Sequence, residues 1–534
     1  MASGAYLKDK EFELLGRKRI YTDAEEINQN NIIEVLRDAV SLHAENAAAI
    51  AYLIRYEKGI QELRRKKKIR SDIDIKVTDN IANQVVEFKL GYNWGNPITY
   101  VQRGNKDISD NKPENDDDAI SYLNEMNDAE SAYAKDQEMA RFVEITGIGH
   151  QMVDVKKERD SVSAFDLYSP HPLYTFVVYR NDIAETPMMG VTFRNLKNGD
   201  TYYTCITKDT RYEIRNVNEI INGQLIRSDW RFGPRSGEAN PLGIVPIVEF
   251  VRAYDRMGCF ERQIPDMDAL NIEVSDFANS VAQKTQEIWW GNDFEFPIDK
   301  ETGEPIAPKS GQWVMTRTLA NGSRPLIQAL ASDFDYDGVQ KNIESKRNTI
   351  LQKCYVPLQT DPGGGSTANA MSLSSGWSAA ENSAMKEEQI IKRSKMMVLE
   401  LELAAIKLRS NWLEGKTSIL DLKLSDITPK FTRMKTYDLG TKTNAMIAMI
   451  KSGINGRVAM QTVDLFQDVA QAWNDSKDTI EKYQKSLLTK QTNSAGNGDN
   501  AFRRESSDLS DQTGNSPILD GMSTNKAGDG DGNS

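Results

Sequence analysis

The chain has 534 residues, with 66 Lys and Arg against 78 Asp and Glu, so its formal net charge at pH 7 is −12. The length allows roughly three or four domains, while the charge has the wrong sign for a protein that grips phosphates across its surface. Its three cysteines, Cys205, Cys259 and Cys354, indicate neither a disulfide framework nor a zinc site, and no segment is apolar enough to span a membrane.

Residues 22–65 are predicted to be helical, residues 105–118 form an acidic, Asn-rich linker, and helices are expected after it to about Phe142. We expect no export, because the first twenty residues lack the apolar core of a signal peptide. The basic run Arg64–Arg70 has two interpretations, a nucleic-acid patch or a solvated turn between helices, and the turn is favoured. Helical spacing within residues 22–65 is seen at Ile27, Ile32, Ile33, Leu36, Val40, Ile50, Leu53 and Ile54.

Residues 153–250 are predicted to be β-rich. The segments TFVVYR, GVTFRN, TYYTCIT and RYEIRNV are typical of strands, and the dipeptides Asn198-Gly199 and Asn222-Gly223 are hairpin turn signals. The histidines His43, His150 and His171 stand apart from any Cys or Ser motif. We interpret them as structural rather than catalytic.

Two amphipathic helices are predicted on either side of a small β-rich insert. The first has one apolar stripe at Leu270, Val274, Phe277, Val281 and Ile288, with Asp276, Asn279, Gln283 and Glu287 largely off it. The insert, Phe294–Ile327, is rich in Gly and Pro around the strand-like residues 312–316. The second helix has its stripe at Val339, Ile343, Ile350 and Cys354 and must end before Pro357.

Two ligand-binding patterns fall in this region. GEPIAPKS, residues 303–310, resembles a phosphate-binding loop, but Pro308 stands where the second Gly is required and removes a backbone N–H. DFDYDGVQKNIE has calcium-loop spacing at Asp333, Asp335, Asp337 and Glu344. The favoured alternative is an acidic first turn that opens the second helix, where carboxylates interact well with the helix dipole. We therefore expect no cofactor and treat calcium as a weak candidate.

A Gly- and Ser-rich loop, DPGGGSTANAMSLSSG, follows the second helix at residues 361–376 and is expected to be mobile. The long helix after it needs a partner surface along most of its length. Its apolar positions are Ile391, Val398, Leu401, Ala405, Leu408 and Trp412. Beyond Lys490 the sequence is poor in apolar residues, which predicts a disordered tail.

These features resemble the portal proteins of tailed phages, in particular the branch found in long-tailed phages of Gram-positive bacteria. The resemblance runs from about Tyr52 to about Lys490. Its N-terminal marks are Tyr56 and Gly59, then Asn80, Val85, Lys89, Gly91, Tyr92, Gly95, Pro97 and Tyr100. Later marks are GIVPIVEF at residues 243–250, the acidic entry to the first amphipathic helix, and the region from Thr436 to Lys482.

The resemblance implies an α+β, mainly helical portal fold assembled as a ring of usually about twelve subunits. The implied parts are a wing at residues 1–267, stem helices at 268–291 and 333–360, a clip at 292–332, a tunnel loop at 361–377, a long wing helix and strand at 378–435, a crown at 436–491 and a disordered tail at 492–534.

By the same resemblance, the chain is a structural virion protein and not an enzyme. It is made in the host cytoplasm and placed at one capsid vertex, where double-stranded DNA is packaged and ejected. The implied partners are the terminase motor, the major capsid and scaffold proteins and a head-to-tail adaptor, with no membrane. The implied DNA-facing residues are Gly363, Gly364, Gly365, Ser366 and Thr367, and the docking candidates are Trp289, Trp290, Phe294, Phe296 and Trp313. Trp289 and Trp290 are interpreted as packing between subunits or as a platform for the clip, and a DNA-stacking role is disfavoured.

Two rival classes remain. A packaging ATPase or nuclease is disfavoured by the defective phosphate-binding loop. A head-to-tail adaptor or another virion ring protein is disfavoured by the order of helices and loop and by the length of the chain. A negative channel would also repel DNA, so that the duplex could slide without being held by counterion release.

Overall fold

The computed structural model describes most of the chain, which divides into two compact units, residues 1–436 and 437–534. The described residues are 16–63, 74–102, 116–157, 162–221, 224–285, 289–292, 301, 303, 326–329, 335–358, 376–412, 417–433, 439–463, 472–473, 476–480 and 482. Helices and strands are mixed, with more residues in helices, and this is compatible with the expected α+β class.

The first part of the chain is mainly helical, as predicted. Its elements are β1 Ile20–Thr22, α1 Ile32–Glu57, α2 Ile81–Trp94, β2 Thr99–Gln102, α3 Asp116–Ala129 and α4 Ala132–Thr146. Helix α1 buries Ile32, Leu36, Ile50 and Leu53, four of the predicted apolar positions. Helix α4 ends at Gly147, whose φ is 80°. A side chain there would meet the Arg256 carbonyl oxygen at 2.3 Å, so the sharp exit requires glycine.

The structure describes nine strands between residues 148 and 251, with residues 158–161 and 222–223 left out, and they confirm the predicted β-rich region. They are β3 Ile148–Val155, β4 Phe165–Tyr168, β5 Thr175–Arg180, β6 Pro187–Asn195, β7 Thr201–Thr207, β8 Thr210–Ile221, β9 Gln224–Phe232, β10 Glu238–Ala239 and β11 Ile247–Val251. Strands β5 to β9 form an antiparallel meander, β1 pairs in parallel with β5, and β10 pairs with β8. A second sheet has the order β11-β3-β4. Gly199, with φ 88°, supports the predicted turn between β6 and β7.

Next come α5 Ile264–Thr285, the antiparallel strands β12 Trp289–Asn292 and β13 Leu326–Ala329, and α6 Tyr336–Lys353. The boundaries differ from those predicted: α5 begins four residues before Asp268 and ends at Thr285, and α6 ends at Lys353. Trp289 and Trp290 therefore lie in a strand rather than at the end of a helix, which corrects the sequence interpretation.

The predicted long helix is present as α7, Trp377–Leu408, and β14 Ile427–Lys430 then pairs with β2. Ile391, Val398, Leu401 and Ala405 are buried in the largest apolar core, together with residues of β3, β4 and β11. Two predicted stripe positions behave differently. Leu408 is 45% exposed, and Trp412 lies beyond the helix in a short 3₁₀ turn.

The second unit contains α8 Leu439–Lys451 and α9 Gly456–Val463, joined through Gly453 with φ 89°. The predicted tail at residues 492–534 lies outside the described residues. Among the helices that the structure describes, none has the length and apolar character needed to cross a bilayer.

Candidate functional site

Helices α5 and α6 pack as an antiparallel pair. Lys353 near the end of α6 binds Asp266 near the start of α5 at 2.6 Å, and Lys346 pairs with Glu273 one to two turns further along. At the other end, the rings of Phe277 and Tyr336 meet edge to face with centroids 6.0 Å apart. The chain therefore runs along α5 to the β12–β13 strands and returns along α6 in the opposite direction.

A ladder of polar side chains covers one face of α5. Asn271, Ser275 and Asn279, spaced by four residues, are each 1% exposed. They hydrogen-bond to the backbone of residues 74–80, which we call the strap. Asn279 accepts from the Ile75 N–H at 2.9 Å and donates to the Ile75 carbonyl at 2.8 Å. The strap therefore runs along α5 in a single register.

The other two side chains of the ladder also hydrogen-bond the strap backbone. Ser275 Oγ accepts from the Val77 N–H at 3.0 Å, and Asn271 Oδ1 accepts from the Asp79 N–H at 2.8 Å. Four helical residues advance about 6 Å and two extended residues about 6.6 Å, so alternate strap residues meet successive rungs. Asp79 also pairs with Arg347 of α6 at 3.4 Å, which connects the strap to both helices.

The ladder was not predicted. The sequence interpretation placed Asn279 off the apolar stripe and Val281 on it, whereas Asn279 is buried and Val281 is 39% exposed. The signal that could have found the ladder is the repeat of short hydrogen-bonding residues at every fourth position in NIEVSDFAN. Hydrophobic periodicity does not register such residues, because their burial depends on bonds rather than on apolar area.

The start of α6 supports the helix-cap interpretation of the acidic motif. Asp335 is the N-cap, and its carboxylate accepts from the Gly338 N–H at 2.9 Å. Asp337 lies in the first turn, and Glu344 is exposed further along the helix. Asp333 lies outside the described residues. Calcium binding by this motif stays a prediction.

A buried cluster of charges joins α2, α4 and α7 to the segment after β11. Arg252 pairs with Glu387 at 2.7 Å and with Glu144 at 3.4 Å, while Lys89 lies 3.7 Å from Glu387. Burial and the Glu387 charge raise the pKa of Glu144 to about 7. Burial also acts to raise the pKa of Glu387, but Arg252 and Lys89 outweigh it and hold that pKa below its usual value. The cluster holds three helices together by directional contacts.

The histidines and cysteines occupy structural positions. His43 stacks on Phe176 with centroids 4.6 Å apart, and its Nε2 bonds the Leu173 carbonyl at 3.0 Å. Burial lowers the pKa of His150 to about 4, so this side chain is neutral at pH 7. All three cysteines are buried, and burial raises the pKa of Cys354 to about 12. Within the part of the chain that the structure describes, no group of three or more metal-binding side chains occurs.

Several predicted residues lie outside the described residues. They are the basic run Arg64–Arg70, the docking candidates Phe294, Phe296 and Trp313, and the loop residues Gly363, Gly364, Gly365, Ser366 and Thr367. Of the imperfect phosphate-binding pattern, residues 303–310, only Gly303 is among the described residues. Their roles stay predictions.

Comparison with known proteins identifies a family for this chain. Residues 41–486 match the family model described as phage portal protein, SPP1 Gp6-like. The match covers more than half of the chain and includes all the helices of the first unit except the first turns of α1. No curated protein matches the sequence. The chain therefore belongs to the SPP1 Gp6-like family of phage portal proteins, as the sequence resemblance predicted.

Proposed function

We propose that the chain assembles into a ring of about twelve subunits at one capsid vertex, and that double-stranded DNA enters and leaves through the ring. The observation that carries this proposal is the family match over residues 41–486. Membership implies a capsid-associated oligomeric ring in the virion, and the family is structural rather than enzymatic. The number of subunits and the passage of DNA go further than the match.

The parts of the portal are assigned to elements of the chain. The α5–α6 pair is the stem, and residues 292–332 between them are the clip, with Trp289 and Trp290 at its entry. The Gly- and Ser-rich segment 361–376 is the tunnel loop, with Gly363 to Thr367 towards the DNA. The other elements of the first unit, including the sheets and α7, form the wing, and the second unit is the crown. Support for the last assignment is that the second unit begins at Tyr437, one residue after the predicted start of the crown.

The net charge supports a channel through which DNA slides rather than a surface that binds DNA tightly. A chain with net charge −12 makes a strongly negative ring, and a negative channel surface releases few DNA counterions. DNA then has little affinity for the wall and can slide in either direction. We also propose that the chain does not hydrolyse ATP and that the terminase supplies the work. DNA-stimulated ATP turnover by the purified chain would contradict this.

The first experiment is electron microscopy of the purified chain, with native mass spectrometry to count subunits. We expect a ring with a central channel and a projecting stem. If the chain gives a smaller species, co-expression with the scaffold and major capsid proteins of the same phage supplies the assembly context. A compact particle with neither channel nor stem under both conditions would favour the adaptor alternative.

Docking by the clip is tested separately. The double substitution Trp289→Ala and Trp290→Ala should weaken binding of the terminase and of the adaptor to assembled rings, since aromatic residues often anchor interfaces. Trp412→Ala is the matched control, because Trp412 lies outside the proposed clip. Equal binding by both variants would remove these tryptophans from the docking surface while leaving the ring assignment intact.

A further inference from the structure

A cleft lies where the two sheets of the first unit meet the end of α7. Its volume is about 300 Å³, and its lining includes residues of β3, β7, β8 and β10 together with Leu408 and Arg409. All of the lining residues are among those described. Ligand sites in proteins usually measure about 300–1,000 Å³, so this cleft has room for one or two side chains rather than for a large cofactor.

The apolar part of the lining comes from both sheets and from α7. Val155 of β3 and Ile206 of β7 are buried, whereas Leu408 is 45% exposed. Leu408 continues the apolar stripe of α7, but none of the apolar clusters formed by the described residues includes it. An incoming aliphatic side chain would therefore bury Leu408 and add hydrophobic stabilisation that the chain alone does not gain.

The polar part of the lining is more basic than acidic. Its three cations and two carboxylates are Lys157, Arg211, Arg409, Asp154 and Glu238. Arg211 already pairs with Asp154 at 3.4 Å, whereas Lys157 and Arg409 form no ion pair with an acid of the described residues. The whole chain, in contrast, has a net charge of −12. The lining is therefore complementary to a partner that brings a carboxylate.

Arg409 is held in place at the end of α7. It is the C-cap of the helix, and its Nε donates to the Lys156 carbonyl at 2.9 Å. This bond leaves the donors on the two terminal nitrogens of the guanidinium. A guanidinium fixed in this way can donate two parallel hydrogen bonds to one carboxylate. The position of Arg409 thus favours recognition of a carboxylate at the cleft.

The cleft also borders the edge of a sheet. Strand β10 pairs with β8 through Glu238 with Arg211 and Ala239 with Thr210, and it is the last strand in the order of the seven-stranded sheet. Both residues of β10 line the cleft. A sheet edge can accept an extended peptide as an additional strand, whose backbone gives affinity and whose side chains give specificity. A segment that enters this cleft would therefore be extended where it passes β10.

We propose that this cleft is a docking site for a short, extended acidic peptide segment of a partner protein. An aliphatic side chain of the segment packs on Leu408, and a neighbouring carboxylate binds Arg409 and Lys157. The charge of the lining, the uncovered end of the α7 stripe and the sheet edge all favour this occupant. The docking site lies within the first unit and depends neither on the number of subunits nor on DNA, so it can fail while the proposed ring stands.

The test is a selection of random heptapeptides by messenger-RNA display on the full purified chain, followed by fluorescence polarisation of the enriched peptides. We expect sequences with an aliphatic residue beside Asp or Glu. Arg409→Gln should weaken their binding by about tenfold, because a charge-assisted hydrogen bond is lost. Leu408→Ser and Lys157→Gln should also weaken it. Lys407→Gln removes a charge at an exposed position of α7 outside the cleft and should bind like the wild type.

The proposal is wrong if the selection yields no peptide or yields peptides without acidic residues. It is equally wrong if the enriched peptides bind Leu408→Ser and Arg409→Gln as tightly as the wild type. Circular dichroism checks the fold of each variant, and Leu408→Ser, at an exposed position, keeps the test decisive if Arg409→Gln unfolds. A second copy of the chain is the other occupant. In that case both substitutions would change the mass of the assembled particle while no free peptide is selected, which also overturns the proposal.

Discussion

Helices α5 and α7 both bury apolar residues, but on α5 a second set of buried side chains, all polar, forms a ladder along a backbone segment. Helix α7 buries Val398, Leu401 and Ala405 in the apolar core, whereas α5 buries Asn271, Ser275 and Asn279 against the strap. Apolar burial is non-directional and depends mainly on area and fit. Each side chain of the ladder instead hydrogen-bonds a particular backbone N–H or C=O group of the strap. A shift of the strap by one residue would therefore break every one of these bonds. The contrast shows two ways in which a helix of this chain is held in place.

The largest expected effect is on the apolar side. Leu401→Ala removes a side chain that is 1% exposed and leaves a cavity, so the free energy of unfolding should fall by about 2–5 kcal/mol. Urea unfolding followed by circular dichroism measures this. Leu408→Ala, on the same helix but exposed, should change stability by no more than about 0.5 kcal/mol. Similar losses in both variants would show that α7 does not dock through the stripe at Leu401.

The ladder should respond differently. Asn279→Ala deprives the Ile75 N–H and carbonyl of their partners, and the free energy of unfolding should fall by about 1–3 kcal/mol. Hydrogen exchange should accelerate at residues 75–79 while α7 keeps its protection. Asp276→Asn, on the exposed face of the same helix, is the control. Unchanged exchange in the strap of Asn279→Ala would mean that the ladder does not hold it.

Helix α7 also contains the buried acid Glu402, which makes the stability of the protein depend on pH. Burial raises the pKa of Glu402 to about 7, although Lys395 and a hydrogen bond from Asn127 act in the opposite direction and Asp136 adds to the rise. Because the folded pKa lies above the usual 4.5, the unfolded chain loses its proton first, and stability falls as the pH rises from 4.5 to about 7.

Glu402→Gln removes this loss. The difference in unfolding free energy between Glu402→Gln and the wild type should shift by about 1–3 kcal/mol in favour of the variant as the pH rises from 4.5 to 8. Thermal unfolding across this pH range measures the difference. Glu400→Gln makes the same chemical change at an exposed position of α7 and should show no comparable trend. Parallel pH profiles for Glu402→Gln and the wild type would contradict the raised pKa.

The smallest effect is expected at the start of α6, the partner of α5. Asp335→Ala removes the N-cap bond to Gly338 and should cost about 0.5–2 kcal/mol, while Asp335→Asn keeps an acceptor and should cost less. Differential scanning calorimetry with and without calcium also tests the metal alternative. A calcium-dependent rise in Tm that both variants abolish would favour a calcium loop over a simple cap.

Parts of this structure follow from local patterns. The strands between Ile148 and Val251, the turn at Gly199 and the long helix after Gly376 were predicted because period, turn residues and Gly or Pro boundaries act over a few residues. The first stem helix was predicted too long, because Trp289 and Trp290 lie in a strand. Strand pairing with Leu326–Ala329, more than thirty residues away, decides this, and no local window contains that partner.

The sequence by itself determined the composition classes, the order of helices and strands and the family resemblance, because these depend on residue types and spacing along the chain. Only the tertiary structure decided which polar residues are buried, since Asn279 and Lys89 are stable inside only where Ile75, Ser383 and Tyr355 are brought to them. Those partners lie roughly two hundred or more residues away along the chain. The burial of a polar group is set by its hydrogen-bond partners in space, and spacing along the sequence does not specify them.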